Sequence, residues 1–266
     1  METATVEIGG YIRTWRQRRR LSQLELALDS AISTRHLSFL ETGRSRPSRD
    51  VVLRLADRLD VPLRDRNVML VSAGYAPVFP ERAIDDTALG AARAAIELML
   101  RGQEPYPALA IDRKWNMVSA NRALAPFLEG VSPELLAPPL NVLMLSLHPE
   151  GLAPRIENLA EWRSHLLDRL QRQIEITADP ALVDLMHRLD ALPPGPRPMA
   201  RRHETQSGPL IPIRLRLGDE VLAMFSTTTV FGTPLEITLS ELAIESFFPA
   251  DDRTAGRLRR AFPATG

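Results

Sequence analysis

Leu21-Ser22-Gln23-Leu24-Glu25-Leu26-Ala27-Leu28-Asp29-Ser30-Ala31-Ile32-Ser33-Thr34-Arg35-His36-Leu37-Ser38-Phe39-Leu40-Glu41-Thr42-Gly43-Arg44 spells two short helices and the turn between them. Ser22 and Glu25 have the spacing of a capping box, in which each side chain satisfies a free backbone donor of the other. The first helix is expected to run from there to about Ser30. Ser33 is placed to cap the second, which carries Leu37 and Leu40 inward and ends before Gly43. Upstream, Ile8, Ile12 and Trp15 recur at helical spacing. Downstream, Pro47-Ser48 starts a helix whose buried stripe is Val51, Val52, Leu55 and Leu59, and Pro62 opens a fifth that reaches about Ala73. Five helices over residues 8–73 with no strand signal predict an all-α unit, assigned residues 1–76.

Gly74-Tyr75-Ala76-Pro77-Val78-Phe79-Pro80 is a connector by its glycine and proline content. Residues 77–104 are taken as linker and connecting helix, the helix being the alanine-rich amphipathic stretch Asp85 to Leu100. The pattern then changes over residues 105–266. Leu109 and Ile111, then Trp115, Met117 and Ser119, alternate with small or polar neighbours, which predicts two short strands around a turn at Asp112-Arg113-Lys114. Helices are expected at about Asn121–Leu128, Arg155–Ile176 and Pro180–Leu192, and Pro193 to Pro198 is expected as a loop. Strands are expected at Leu210–Leu217, Glu220–Val230 and about Ser240–Phe248, with a hairpin at Gly218-Asp219, before a last helix from Asp252 to about Phe262. The fold class is therefore multi-domain: an all-α head, then an α+β domain with an antiparallel sheet of about five strands.

The chain has 266 residues, no cysteine and zero formal net charge. Without thiols a reducing, cytoplasmic setting is expected. The acidic start lacks the apolar segment of a secretory signal, and no apolar run approaches a membrane span. Neutrality hides an asymmetry. Residues 1–66 carry 13 arginines against 9 acidic residues, a surplus of four positive charges, and the remainder carries the matching deficit. A basic head on a mildly acidic body points to a polyanion partner for the head. Lys114 is the only lysine, so no P-loop Gly-Lys pair exists. His36, His148, His165, His187 and His203 form no His-Glu-x-x-His, and there is neither a Gly-x-Ser-x-Gly elbow nor a Gly-x-Gly-x-x-Gly. The sequence is therefore not expected to encode an enzyme, and no cofactor or metal is expected.

Leu21-Ser22-Gln23-xx-Leu26-Ala27, Ile32-Ser33 and Leu40-Glu41-x-Gly43-Arg44-xx-Pro47-Ser48 together make residues 8–60 resemble the five-helix domain of the phage-repressor (Cro/C1, or XRE) family. Ala31 stands where glycine is frequent in the turn, a mild departure. Leu28 stands where many members are polar and reads as added packing. The resemblance implies double-stranded DNA as partner, with the second helix in the major groove and its first turn on base edges. That turn offers Ser33, Thr34, Arg35 and His36, with Ser38 further on. Arg35 has the donors for guanine O6 and N7. Gln23, Arg13, Arg44, Arg46 and Arg49 are the expected phosphate contacts. The run Arg16-Gln17-Arg18-Arg19-Arg20 suits either DNA or a helix end, where it complements the dipole.

Ala110-Ile111-Asp112-Arg113-x-Trp115-x-Met117-Val118-x-Ala120-Asn121 resembles the opening of a PAS-like domain. Asn141-Val142-Leu143-x-Leu145-x-Leu147-His148-Pro149-x-Gly151-Leu152, Phe225-Ser226-Thr227 with Phe231-Gly232-Thr233-Pro234, and Phe247-Phe248-Pro249-Ala250-Asp251 resemble the carboxy-terminal domain of MmyB-like transcription regulators. That family implies a bacterial transcription regulator, a PAS-like domain and a small apolar, fatty-acid-like ligand. A PAS-like fold would leave an apolar pocket between sheet and helices. Met117, Phe127, Leu143, Leu147, Leu166, Met224 and Phe225 are the candidate lining, each equally suited to an ordinary core. His148 is placed to bond a ligand carboxylate or merely a backbone carbonyl, and Arg155 and Arg122 are alternative anchors. A homodimer on an inverted repeat is expected, with the helix near Asp85–Leu100 and the body as dimer surfaces. The alternative is a body that serves only dimerisation or protein interaction and holds no ligand.

Overall fold

The structure, a computed structural model, describes residues 7–193, 210–232 and 234–262. They divide into two compact units. The first is the described part of Met1–Arg82 with Glu175–Thr177 and Pro234–Ser240, and the second is the remainder.

The first unit holds α1 (Ile8–Arg18), α2 (Gln23–Asp29), α3 (Thr34–Glu41), α4 (Arg49–Arg58) and α5 (Leu63–Ser72). The capping box closes as the spacing predicts: Ser22 N donates to Glu25 at 2.7 Å and Glu25 N donates to the Ser22 hydroxyl at 3.2 Å. Ser33 and Ser48 cap α3 and α4 in the same way, accepting from His36 N and Val51 N. Ile12, Leu26, Leu37, Leu40, Leu55, Leu59 and Leu70 are fully buried together. Each such side chain contributes about 1.5–3 kcal/mol. Gly9 is required where α1 crosses α3, since a Cβ there would meet the Leu40 carbonyl at 2.3 Å. Leu28 departs from expectation: it is 70% exposed and adds no packing, because Leu26 and Ala27 take the inward face of α2.

The second unit opens with α6 (Gly90–Gly102), later and tighter than the predicted Asp85 start because a 3-10 turn occupies Thr87–Leu89. Then come β1 (Ala108–Ile111), β2 (Met117–Ala120), α7 (Ala125–Leu128), α8 (Pro133–Leu136), α9 (Val142–Leu147), α10 (Leu159–Thr177) and α11 (Pro180–Asp190). They are followed by β3 (Ile213–Leu217) and β4 (Glu220–Val230). A short α12 (Ile237–Ser240) belongs to the first unit, where the buried Glu236 carboxylate accepts from Arg82 N and Leu239 N. β5 (Ala243–Pro249) and α13 (Asp252–Ala261) complete the described chain. Of the expected Pro193–Pro198 loop, residues 194–198 lie outside the described residues, as does Thr233.

The sheet is antiparallel in the order β2-β1-β5-β4-β3. All four residues of β1 are buried, which an alternating half-buried strand would not be. Its two alanines lie on the face opposite Leu109 and Ile111, and the latter join the main core with α9, α10 and α11. Small side chains on that face let α6 approach β1, where the Asn121 amide donates to Leu100 O and Tyr106 O. Among the described residues no helix is long and apolar enough to cross a membrane.

Candidate nucleic-acid interface and ligand cavity

In the first unit, one network fixes how α3 is presented. Arg16 of α1 donates from Nε and Nη2 to the two oxygens of Glu41, at 2.6 and 2.9 Å, and from Nη1 to Leu21 O at 2.8 Å. The Gln23 amide donates to the same carboxylate at 2.8 Å. The Glu41 side chain is only 3% exposed. Burial pushes its carboxyl up, but the bonds from Arg16 and Gln23, with the Arg16 and Arg13 charges, outweigh this and hold it below the ordinary carboxylate value. Three helices are thereby tied at one point, the carboxy-terminal end of α3.

The first turn of α3, at the helix's other end, starts at Ser33. Arg35 is exposed, and its guanidinium lies over the Phe39 ring, 5.3 Å from the centroid. Ser33 is exposed, and Thr34, His36 and Ser38 are half-buried. Arg13, Arg44, Arg46 and Arg49 are exposed, and none makes an ion pair among the described residues. Gln23 differs from expectation in that Glu41 takes one of its amide hydrogens. The arginine run divides. Arg16 is committed to Glu41, Arg19 donates to Leu59 O and Asp60 O, and Arg18 rests over Trp15. Much of that run holds the helix end.

In the second unit, a cavity of about 90 Å³ lies between the sheet and the helices. Leu109, Ile213, Leu215, Met224 and Phe247 line it from the sheet, and Phe127, Leu143, Trp162 and Leu166 from the helices. Among the described residues Ser146, Arg169 and Glu245 bring polar groups to the wall. So apolar a cavity offers water few partners and suits an apolar guest. Trp115 closes part of it from an unusual backbone, φ +67°, in the β1–β2 turn. A bulky residue there is strained. Asp112 secures the turn by accepting from Lys114 N and Asn116 N, and the indole N–H donates to Gln173 at 2.8 Å.

Residues 92–261 match the family described as the MmyB-like transcription regulator ligand binding domain, and residues 7–69 match a helix-turn-helix domain. The chain belongs to the MmyB-like transcription regulators. Among curated proteins nothing matches it. As an MmyB-like regulator it joins a DNA-binding helix-turn-helix to a ligand-binding domain that contains the cavity.

Of the expected lining, Met117, Phe127, Leu143, Leu166 and Met224 stand on the wall of the MmyB-like domain's cavity. Leu147, His148 and Phe225 do not. Leu147 is buried in the core one turn beyond Leu143. His148 ends α9 and turns onto its own loop, its Nδ1 accepting from Glu150 N at 3.1 Å. Phe225 follows Met224 in a strand, so it points to the opposite face, where it stacks on Phe248 at 5.6 Å. Arg155 donates to Phe127 O, and burial lowers its pKa; Arg122 is exposed and pairs with Glu104 at 2.6 Å. Neither lines the cavity.

Leu109, Ile213, Leu215 and Phe247 were not foreseen on the wall, nor were Trp115, Ser146, Trp162, Arg169 and Glu245. Trp162, Leu166, Arg169 and Gln173 share one helical stripe. An arginine and a glutamine on an otherwise apolar stripe were the available signal. Burial pushes the His165 pKa down, and the Arg169 and Arg172 charges add to this.

Proposed function

We propose that this MmyB-like regulator binds DNA sequence-specifically through the first turn of α3 and that its second unit takes a small apolar, fatty-acid-like ligand into the cavity. Ser33, Thr34, Arg35, His36 and Ser38 face base edges, with Arg35 reading guanine. Arg13, Arg44, Arg46 and Arg49 meet phosphates, as does Gln23 through the amide hydrogen that Glu41 leaves over. Two copies form a homodimer on an inverted repeat. Ligand acts by favouring one of two arrangements, and its differential affinity for them sets the response. The protein is a regulator and not a catalyst.

The observation that carries the ligand reading is the cavity itself, walled by apolar side chains from both sheet and helices. It favours ligand sensing over a body used only for dimerisation. The curled antiparallel sheet over helices supports the PAS-like comparison. Thermal shifts across straight-chain fatty acids and their matched alcohols test it. Each buried CH₂ is worth about 0.8 kcal/mol, so the shift should rise with chain length and stop when the cavity is full. A flat response across all lengths at saturating ligand would leave only a packed domain.

A further inference from the structure

Arg169 of α10 and Glu245 of β5 meet in direct contact on the wall of the cavity. The Glu245 side chain is 6% exposed. Thr228 closes a triangle with them, donating to Glu245 Oε1 at 3.0 Å and accepting from Arg169 Nη2 at 2.6 Å. The guanidinium face lies over Trp115, 4.7 Å from the ring centroid. The one cation that lines this wall among the described residues is thus already matched by a carboxylate and an aromatic face. Donors and acceptors are nevertheless left over. Nε and Nη1 of Arg169 and Oε2 of Glu245 have no hydrogen-bond partner among the described residues.

A ligand carboxylate reaching this end would set a second anion beside the buried Glu245 carboxylate, where like charges repel. An uncharged head with both a donor and an acceptor meets no such repulsion. Its oxygen accepts from Arg169, and its O–H or N–H donates to Glu245.

Taking the cavity to be the ligand site proposed above, we infer that it selects an amphiphile whose buried head is uncharged and hydrogen-bonding, a hydroxyl or carboxamide, over the carboxylate of the same chain.

The test uses the full chain and a matched set of straight-chain alcohol, carboxamide and carboxylic acid. Binding is measured by calorimetry and thermal shift at about pH 8, where a carboxylic acid is ionised. The alcohol and the carboxamide should each bind the unaltered protein at least about tenfold more tightly than the acid. In Glu245→Gln the Arg169 charge loses its partner, and the order should reverse in favour of the acid. The ranking on the unaltered protein decides the matter even where Glu245→Gln folds poorly. Acid binding as tightly as the alcohol there overturns the inference and leaves the ligand cavity standing. No binding by any head at any chain length overturns both.

Discussion

Arg35 stands exposed in the first turn of α3 with its guanidinium over Phe39. The aromatic face limits the rotamers of a long side chain, so less entropy is lost when it meets a base. Arg35→Ala should cost about 1–3 kcal/mol at one operator position and relax preference there, as measured on a panel of single-base operator variants. Equal weakening on every sequence would move Arg35 to the phosphate backbone. Ala31 makes the opposite kind of statement. It sits in the turn at φ +52°, where a Cβ costs about 1–2 kcal/mol. Ala31→Gly should therefore stabilise the first unit by about 0.5–1 kcal/mol, the remainder being offset by the extra freedom of glycine when unfolded. A urea midpoint that stays put or falls would refute this.

Among elements, α1, α2 and α3 are joined at Glu41 more specifically than by their shared apolar core. The carboxyl is held below its ordinary value in the folded state. Its contribution is therefore complete above the unfolded value of about 4.3 and is lost as pH falls through the folded value. The first unit should lose stability on acidification across that window. Glu41→Gln should remove this part of the pH dependence and cost about 2–3 kcal/mol at neutral pH. Denaturant unfolding of both forms at several pH values measures it, and parallel pH profiles would exclude Glu41 as a source. In the second unit, alternation along β4 gives a general lesson. Met224 and Phe225 cannot both face one cavity, whatever their hydrophobicity. Choosing between them needs the partner strand, and Phe225 pairs with Phe248 on the other face.

At the scale of the molecule, one small head covers too few base pairs for a unique address. The proposed inverted repeat supplies the rest, with half-sites one helical turn apart. The proposed dimer surface is α6, where Leu98 is 68% exposed beside the exposed Met99. Leu98→Asp should yield monomers in sedimentation at micromolar concentration and weaken binding to the paired site far more than to a half-site. Dimers that persist in this variant would remove α6 from the interface.

The five helices of the head were legible because their signals are local: Ser22 with Glu25, Ser33 with His36 N, and apolar stripes at helical spacing. The strands around Gly218 were legible for the same reason, as a turn residue between alternating runs. The short α8 and α9 were not, because helices of four and six residues held by packing carry little periodicity of their own. Composition identified apolar candidates for the second unit, but only the sheet's parity and register separated wall from core. The Arg169–Glu245 pair joins positions 76 residues apart. The apolar stripe of α10 marks Arg169, but no local pattern announces its partner. Only the fold, by burying Glu245 against Arg169, makes them partners and sets polar groups on the cavity wall.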